Sequence, residues 1–375
     1  MSLSSLEEIA AYLVSDGKGF LAADESTGTI GKRFDAINTE STEDSRRDYR
    51  ELLFRAEGMQ DNIGGVILFD ETLRQSAADG TLLKDLINST GALPGIKVDK
   101  GISPFNDSDE VLTGGLEDLD ERCAEYFSLG AKFTKWRAVI KIGEGIPTQE
   151  CIDANMKGLA DYAKIVQDHK MVPMVEPEVL MDGEHSAQTC FDVTANCLKT
   201  LFSMLAAIGV NIRGTILKPN MVVSGTEAPV QAGVQEVAEL TLKVLKENVP
   251  SDLAGIAFLS GGQSDLLATE HLDAMNKIGG LTWPLSFSYG RALQQPALKA
   301  WMGHSDNKEA AQKAFNNRKG AVVAIDINDG SIVTLFSSPT FSTNQLVNGI
   351  LQKDLDKLLF SQEKPFFNSC LLYTS

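Results

Sequence analysis

The chain has 375 residues, 43% of them hydrophobic and 7% aromatic, enough to bury a large core as one big domain or two ordinary ones. A formal net charge of -17 repels nucleic acid and anionic membranes, so neither is expected as a partner, and any anionic substrate must be captured by local cations. Five cysteines, Cys123, Cys151, Cys190, Cys197 and Cys370, form no C-x-x-C pair and are odd in number, which points to a reducing cytoplasm rather than a disulfide framework.

Ser5-Leu6-Glu7-Glu8 predicts a capping box that opens a short amphipathic helix ending near Ser15-Asp16-Gly17. The N-terminal stretch lacks the basic start and apolar run of a signal peptide, and nothing further on is long and apolar enough to span a bilayer. Short apolar runs ending in charged residues then alternate with helical patterns. The runs are GFLAADE at 19 to 25, GGVILFDE at 64 to 71, IKVDKG at 96 to 101, FTKWRAVIKIG at 133 to 143, MVPMVEPEV at 171 to 179, GTILKP at 214 to 219, GIAFLSGG at 255 to 262 and PLSFSYGR at 284 to 291. Between them lie segments such as TEDSRRDYRELLFRAE, QECIDANMKGLADYAKIVQDH, SAQTCFDVTANCLKTLFSMLAAIG and AGVQEVAELTLKVLKENV, apolar at helical spacing. Eight strands alternating with helices predict an α/β fold, a (β/α)8 TIM barrel with its site at the C-terminal strand ends. A doubly wound sheet is the alternative. It calls for G-x-G-x-x-G after a strand, which the first βα unit lacks.

Asp24, Lys100, Lys135, Arg137, Glu176, Glu178, Lys218 and Arg291 all fall in or at the ends of these strands, and the inward ones converge. Desolvating each charge costs several kcal/mol unless it is paired or used, so function explains the set better than structure does. Lys218 closes an aliphatic run just before Pro219, which biases its backbone towards extended geometry at a strand end. A free lysine is only about 0.04% unprotonated at pH 7, and neighbouring cations and partial burial are the usual means of making an amine nucleophilic. Lys135 is the natural electrostatic partner for Lys218, and Glu176 the natural acid/base once an amine attacks a carbonyl. The set suits Schiff-base formation with a ketone.

Anions can be held in three places. Ser26-Thr27-Gly28-Thr29, with Lys32 and Arg33, combines hydroxyls, backbone N–H groups and cations after the first strand, and also reads as an ordinary helix N-cap. Ser260-Gly261-Gly262-Gln263 and Ser288-Tyr289-Gly290-Arg291 follow the seventh and eighth strands, where barrels often bind phosphate. Together they imply a ligand with phosphate groups, and the separate first-strand cluster suggests a second anionic end. His169, His185, His271 and His304 are scattered without H-x-x-x-H spacing and read as surface or capping residues.

LAADESTGTIGKRF, GIKVDKG, KWRAVIKIGE, VPMVEPEVL, GTILKPNMV, FLSGGQS and FSYGRALQ, in this order between about residues 6 and 318, resemble the motifs of class I fructose-bisphosphate aldolases. The resemblance implies a TIM barrel, usually a cytoplasmic homotetramer, that cleaves fructose 1,6-bisphosphate in glycolysis and gluconeogenesis with neither metal nor cofactor. It makes Lys218 the Schiff-base lysine and Glu176 the main acid/base, with Asp24, Lys135 and Glu178 in the catalytic cluster. Ser26, Thr29, Arg33, Arg46, Lys100 and Arg137 resemble positions serving the 6-phosphate, and Ser260, Gly261, Gly290 and Arg291 the 1-phosphate site. Thr29 stands where serine is common and keeps the hydroxyl. A Schiff-base aldolase for another phosphorylated ketose, or a non-catalytic barrel scaffold, are the alternative readings.

Lys308 to Arg318 still resembles the family's last barrel helix, so residues 1–318 are expected to form the barrel domain. Beyond it, two β-rich runs flank Asn328-Asp329-Gly330, a strong hairpin signal. Residues 320–368 resemble the opening of the transpeptidase domain of elongation-type penicillin-binding proteins, and the last residues resemble neither family. Ser361 and Lys364 fit S-x-x-K, but upstream of where that family's nucleophile is expected and without the rest of the domain. Residues 319–375 therefore read as a short foreign C-terminal appendage, a truncated unrelated tail from a fusion or an assembly artefact. Many aldolases of the family end in a tyrosine that assists proton exchange at C3 of the enamine. Here Tyr373 is followed by Thr374 and Ser375, and slow enamine protonation is expected.

Overall fold

A computed structural model describes residues 3–316, 320–325 and 332–338. Eight parallel strands close into a barrel in sequence order: β1 (Gly19–Ala23), β2 (Ile63–Leu68), β3 (Leu93–Lys97), β4 (Phe133–Ile140), β5 (Val172–Val179), β6 (Ile216–Leu217), β7 (Gly255–Phe258) and β8 (Leu285–Tyr289), with β8 pairing back onto β1. Helices lie between the strands as the apolar periodicity predicts, among them Glu43–Phe54, Gln149–Asp168, Ala187–Ala207 and Val234–Asn248. All eight predicted strands exist, several with shorter bounds: β3 stops at Lys97 and β6 spans only two residues. Lys218 thus sits just past its strand, its backbone N–H still donating to the Val175 carbonyl at 2.8 Å.

Strand alternation sorts side chains into two cores. Phe20, Ala22, Ile67, Phe133, Val172, Met174, Ile216 and Ala257 fill the barrel interior. Neighbours of opposite parity, such as Leu21, Val66, Trp136 and Val175, face the helical layer. The Phe133 ring takes the room that Gly95 leaves, for a Cβ there would stand 2.4 Å from it. The first helix, α1 (Leu6–Leu13), opens with the predicted Ser5/Glu8 capping box. It closes the N-terminal end of the barrel by packing Ile9, Ala10 and Leu13 beneath the interior. The C-terminal mouth is left open for polar groups.

After the helix Lys308–Asn316, strands Gly320–Ile325 and Ile332–Ser338 pair antiparallel, as the hairpin signal predicts. The turn residues Asn328-Asp329-Gly330, the S-x-x-K pair Ser361 and Lys364, Cys370 and Tyr373 lie outside the described residues. No helix among the described residues is long and apolar enough to cross a membrane.

Candidate active site

The inward parity of each strand, followed upward, changes from apolar to charged at one level. On β5, Val172 and Met174 belong to the interior and are followed by Glu176 and Glu178. On β4, Phe133 is followed by Lys135 and Arg137; after β1, Phe20 and Ala22 lead to Asp24; after β6, Ile216 leads to Lys218. These charges line a cavity of about 510 Å³ at the C-terminal mouth.

At its floor Lys218, Glu176 and Lys135 are only 3 to 4% exposed. Lys218 Nζ is 3.0 Å from Glu176 Oε1, Lys135 Nζ is 3.4 Å from Glu176 Oε2, and Lys135 Nζ is 2.8 Å from Asp24 Oδ2. The order along the chain of contacts is amine, carboxylate, amine, carboxylate. Burial alone would raise the Asp24 carboxyl, but Lys135 and then Lys218 hold it well below the usual carboxylate range. Burial would also raise Glu176, and Lys218 and Lys135 overcome it and keep that carboxyl low. Burial would lower the Lys135 ammonium, yet Asp24 and Glu176 hold it above its ordinary value. Glu176 Oε2 has no hydrogen-bond donor among the described residues and only the longer ion pair to Lys135, while Oε1 lies against Lys218. Ser288 Oγ, also buried and lining the cavity, has no hydrogen-bond partner among the described residues.

The walls carry the hydroxyls, glycine turns and cations expected to hold anions. Ser26 caps the helix Thr27–Asp35, its Oγ accepting from Thr29 N–H and lying 3.1 Å from Thr29 Oγ1. Both hydroxyls line the cavity, so the capping and binding readings of this turn are compatible. Ser260, Gly261, Gly290 and Arg291 line it from the loops after β7 and β8, and Arg291 makes no ion pair among the described residues. Arg33 and Arg137 also line it, but each is already paired, Arg33 with Glu25 and Arg137 with Glu178.

Two expected residues are not part of this cavity. Arg46 makes a two-pronged pair with Glu71 and donates to the Ser41 carbonyl. Lys100 lies three residues past the end of β3 and reaches Asp118 at 2.6 Å. In its place stands Lys97, which has the inward parity of β3, lines the cavity, and pairs with Asp99 at 2.8 Å. Sequence reasoning passed over Lys97 and Asp99, although counting by twos from Gly95 reaches both. It also passed over Glu25, a buried carboxylate that accepts from Arg33, Arg50 and Gln294.

The histidines differ from expectation in two cases, one being His185, whose two ring nitrogens are buried without a hydrogen-bond partner among the described residues and whose imidazole is held below its ordinary value by burial. His169 caps the helix Gln149–Asp168 and pairs with Asp120 at 2.8 Å, and His304 is exposed. His271 is instead buried, 2% exposed, with Nδ1 2.6 Å from Gln263 Oε1.

The fold and site define the class: a (β/α)8 barrel of the buried-lysine type, with its polar groups at the C-terminal strand ends. Comparison with known proteins narrows it. The family described as "Glycolytic: Fructose-bisphosphate aldolase class-I" matches residues 5–328, and the chain belongs to this family of class-I fructose-bisphosphate aldolases. The match runs past the residue-318 boundary drawn from the motifs. The chain is 52% identical to the "Probable fructose-bisphosphate aldolase class 1" of Xanthomonas campestris pv. campestris, over 80% of this chain and 90% of that one. It is 48% identical to "Fructose-bisphosphate aldolase 4, cytosolic" of Arabidopsis thaliana, over 83% and 80% respectively. A solved fructose-bisphosphate aldolase of Plasmodium falciparum superposes with a TM-score of 0.81 at 45% identity, covering 83% of this chain and 90% of that one.

Proposed function

We propose that this chain is a Schiff-base aldolase that cleaves fructose 1,6-bisphosphate to dihydroxyacetone phosphate and glyceraldehyde 3-phosphate. The observation that carries the reading is the buried Lys218–Glu176–Lys135–Asp24 chain on the floor of a cavity with anion-binding groups in separate wall segments.

Lys218 Nζ attacks C2 of the open-chain ketose. Glu176, with Oε1 beside that amine, moves protons between the amine and the former carbonyl oxygen, which leaves as water and gives an iminium. The C3–C4 bond then breaks with its electron pair entering the iminium system, and the C4 hydroxyl gives its proton to Glu176 as the aldehyde forms. The enamine left on Lys218 takes a proton at C3, and water releases dihydroxyacetone phosphate and the free amine. Lys135 steadies Glu176 and Asp24 while protons move, because its ammonium contacts both. Glu178 holds Arg137 at the rim. Ser26, Thr29 and Lys97 serve one phosphate; Ser260, Gly261, Gly290 and Arg291 serve the other.

The chain beyond residue 328, where the family match ends, is a foreign appendage in this reading. A cytoplasmic homo-oligomer, a tetramer as is usual in the family, completes the proposal; a relative named as cytosolic supports the location. The test is a coupled assay of fructose 1,6-bisphosphate cleavage by the wild-type chain and by Lys218→Met. Turnover in the first and none in the second is expected; turnover that survives Lys218→Met, or a wild-type chain inert on this substrate, contradicts the proposal.

A further inference from the structure

The turn Ser260-Gly261-Gly262 is held by a buried polar chain that the reaction itself does not use. Gly261 and Gly262 have φ of +56° and +90°, and Gln263 N–H closes the turn on the Ser260 carbonyl at 3.0 Å. Positive φ at both positions is open to glycine at little cost, and backbone N–H groups in a turn of this kind, which lines the cavity, can hold an anion. Such a turn stays poised only if the side chain that follows it is fixed. Gln263 is 7% exposed. Its Oε1 accepts from His271 Nδ1 at 2.6 Å and its Nε2 lies 3.6 Å from Met221 Sδ. The tautomer follows from the partner: an amide oxygen accepts only, so Nδ1 carries the proton and Nε2 keeps the lone pair. Nε2 is buried with no hydrogen-bond partner among the described residues, so the ring's hydrogen bonding there is directed at Gln263.

Each end of this chain is anchored to the site or the wall. Met221 lies three residues after Lys218, and the intervening Pro219 carbonyl accepts from Leu259 N–H at 3.1 Å, which fixes the loop after β6 to the start of the turn. His271 sits mid-helix on Asp265–Ile278, and the Tyr289 hydroxyl, from the end of β8, bonds the Ala268 carbonyl of the same helix at 3.2 Å. Gln263 therefore ties the loop after β6 to the turn and the helix that follow β7.

We propose that Gln263 and His271 are positioning residues, and that the Met221–Gln263–His271 chain holds the Ser260–Gly262 turn in the shape that binds one phosphate of the substrate. The proposal rests on reading the cavity as a phosphorylated-ketose site. Without the ring, the Gln263 amide rotates, the turn samples other conformations, and phosphate affinity falls while Lys218 is untouched. Asparagine at 271 keeps a short donor on the same side and restores the tie.

The test is calorimetric titration of inorganic phosphate into the wild-type chain, His271→Leu, His271→Asn and Gln263→Ala, with thermal unfolding of each in parallel. Loss of one buried hydrogen bond of positioning corresponds to about fivefold weaker binding. That loss is expected in His271→Leu and Gln263→Ala for at least one phosphate equilibrium, with His271→Asn within about twofold of wild type. If His271→Leu does not fold, Gln263→Ala, which removes the acceptor from the other end, decides. Phosphate binding unchanged in Gln263→Ala while its melting temperature falls would make the pair purely structural and overturn the proposal, as would a wild-type chain that binds no phosphate. Reductive trapping of a ketose phosphate on wild-type Lys218 reports separately on the aldolase reading, so each can fail alone.

Discussion

Replacing Lys135 by Met tests the alternating charge chain at its centre. The substitution keeps much of the aliphatic volume and removes the one ammonium that contacts both Asp24, at 2.8 Å, and Glu176, at 3.4 Å. At these separations the gross attraction is several kcal/mol per pair, most of it offset by desolvating three buried groups. What remains is the cost of leaving charges buried without their partner, about 3–5 kcal/mol for a fully broken buried pair. Asp24 keeps the more distant fields of Lys218 and Lys97, and Glu176 keeps Lys218 and Arg137, so the lower end of that range is expected. The effect has a pH signature. In the wild-type chain both carboxyls are held low, so their contribution to stability is complete above about pH 5 and is lost as pH falls through the depressed folded values. In Lys135→Met, burial is opposed by fewer cations and the folded values rise. The deficit against wild type is then largest at neutral pH and shrinks on acidification. Urea midpoints at pH 7.5 and 4 measure it, and the cleavage rate should fall by about a hundredfold or more as Glu176 loses its partner. An unchanged midpoint at pH 7.5, or a kcat within about twofold of wild type, would refute the linked-charge account.

Burial pulls the His271 imidazole down to about 4, so the folded chain resists protonation that the unfolded chain accepts at about 6.5. Its contribution, up to about 3 kcal/mol, is whole above pH 6.5 and is lost as pH falls towards 4; His271→Gln should flatten that part of the stability–pH curve in urea titrations. Arg46→Met should leave KM for the bisphosphate within about twofold, since Arg46 is engaged with Glu71 away from the cavity, whereas Lys97→Met should raise KM about tenfold. Steady-state kinetics of the two variants separates the pair, and the reverse ranking would contradict the placement. A chain cut after Arg318 should turn over within about twofold of the full chain if the appendage is idle; a large loss would show that the tail contributes.

Much of the barrel was legible in the sequence because its strands, largely buried on both faces, are short apolar runs, most of them with a charged end. The floor of the site was legible for the same reason. A charge at inward parity above apolar interior residues has nowhere to go but the mouth, which places Asp24, Lys135, Glu176 and Lys218 together. Lys97 and Lys100 show what the run alone does not fix. Both belong to IKVDKG, and only the true end of β3 at Lys97 decides which is inward and which is in the loop reaching Asp118. Arg46 illustrates a different limit, because its partner Glu71 is 25 residues away in sequence and only the fold brings it near. His271 was read as a surface or capping group, since helical periodicity does not reveal that Gln263 folds back to meet it. The plug formed by α1 shows the same limit: the capping box announces the helix, but not that its apolar face closes the barrel.

The proposed covalent imine between Lys218 and the ketose can be caught by reductive trapping. The wild-type chain is incubated with dihydroxyacetone phosphate and borohydride, digested, and its peptides analysed by mass spectrometry. One stoichiometric adduct is expected on the peptide carrying Lys218, absent in Lys218→Met and retained in His271→Leu. No adduct on Lys218, or an adduct placed on Lys135 instead, would contradict it.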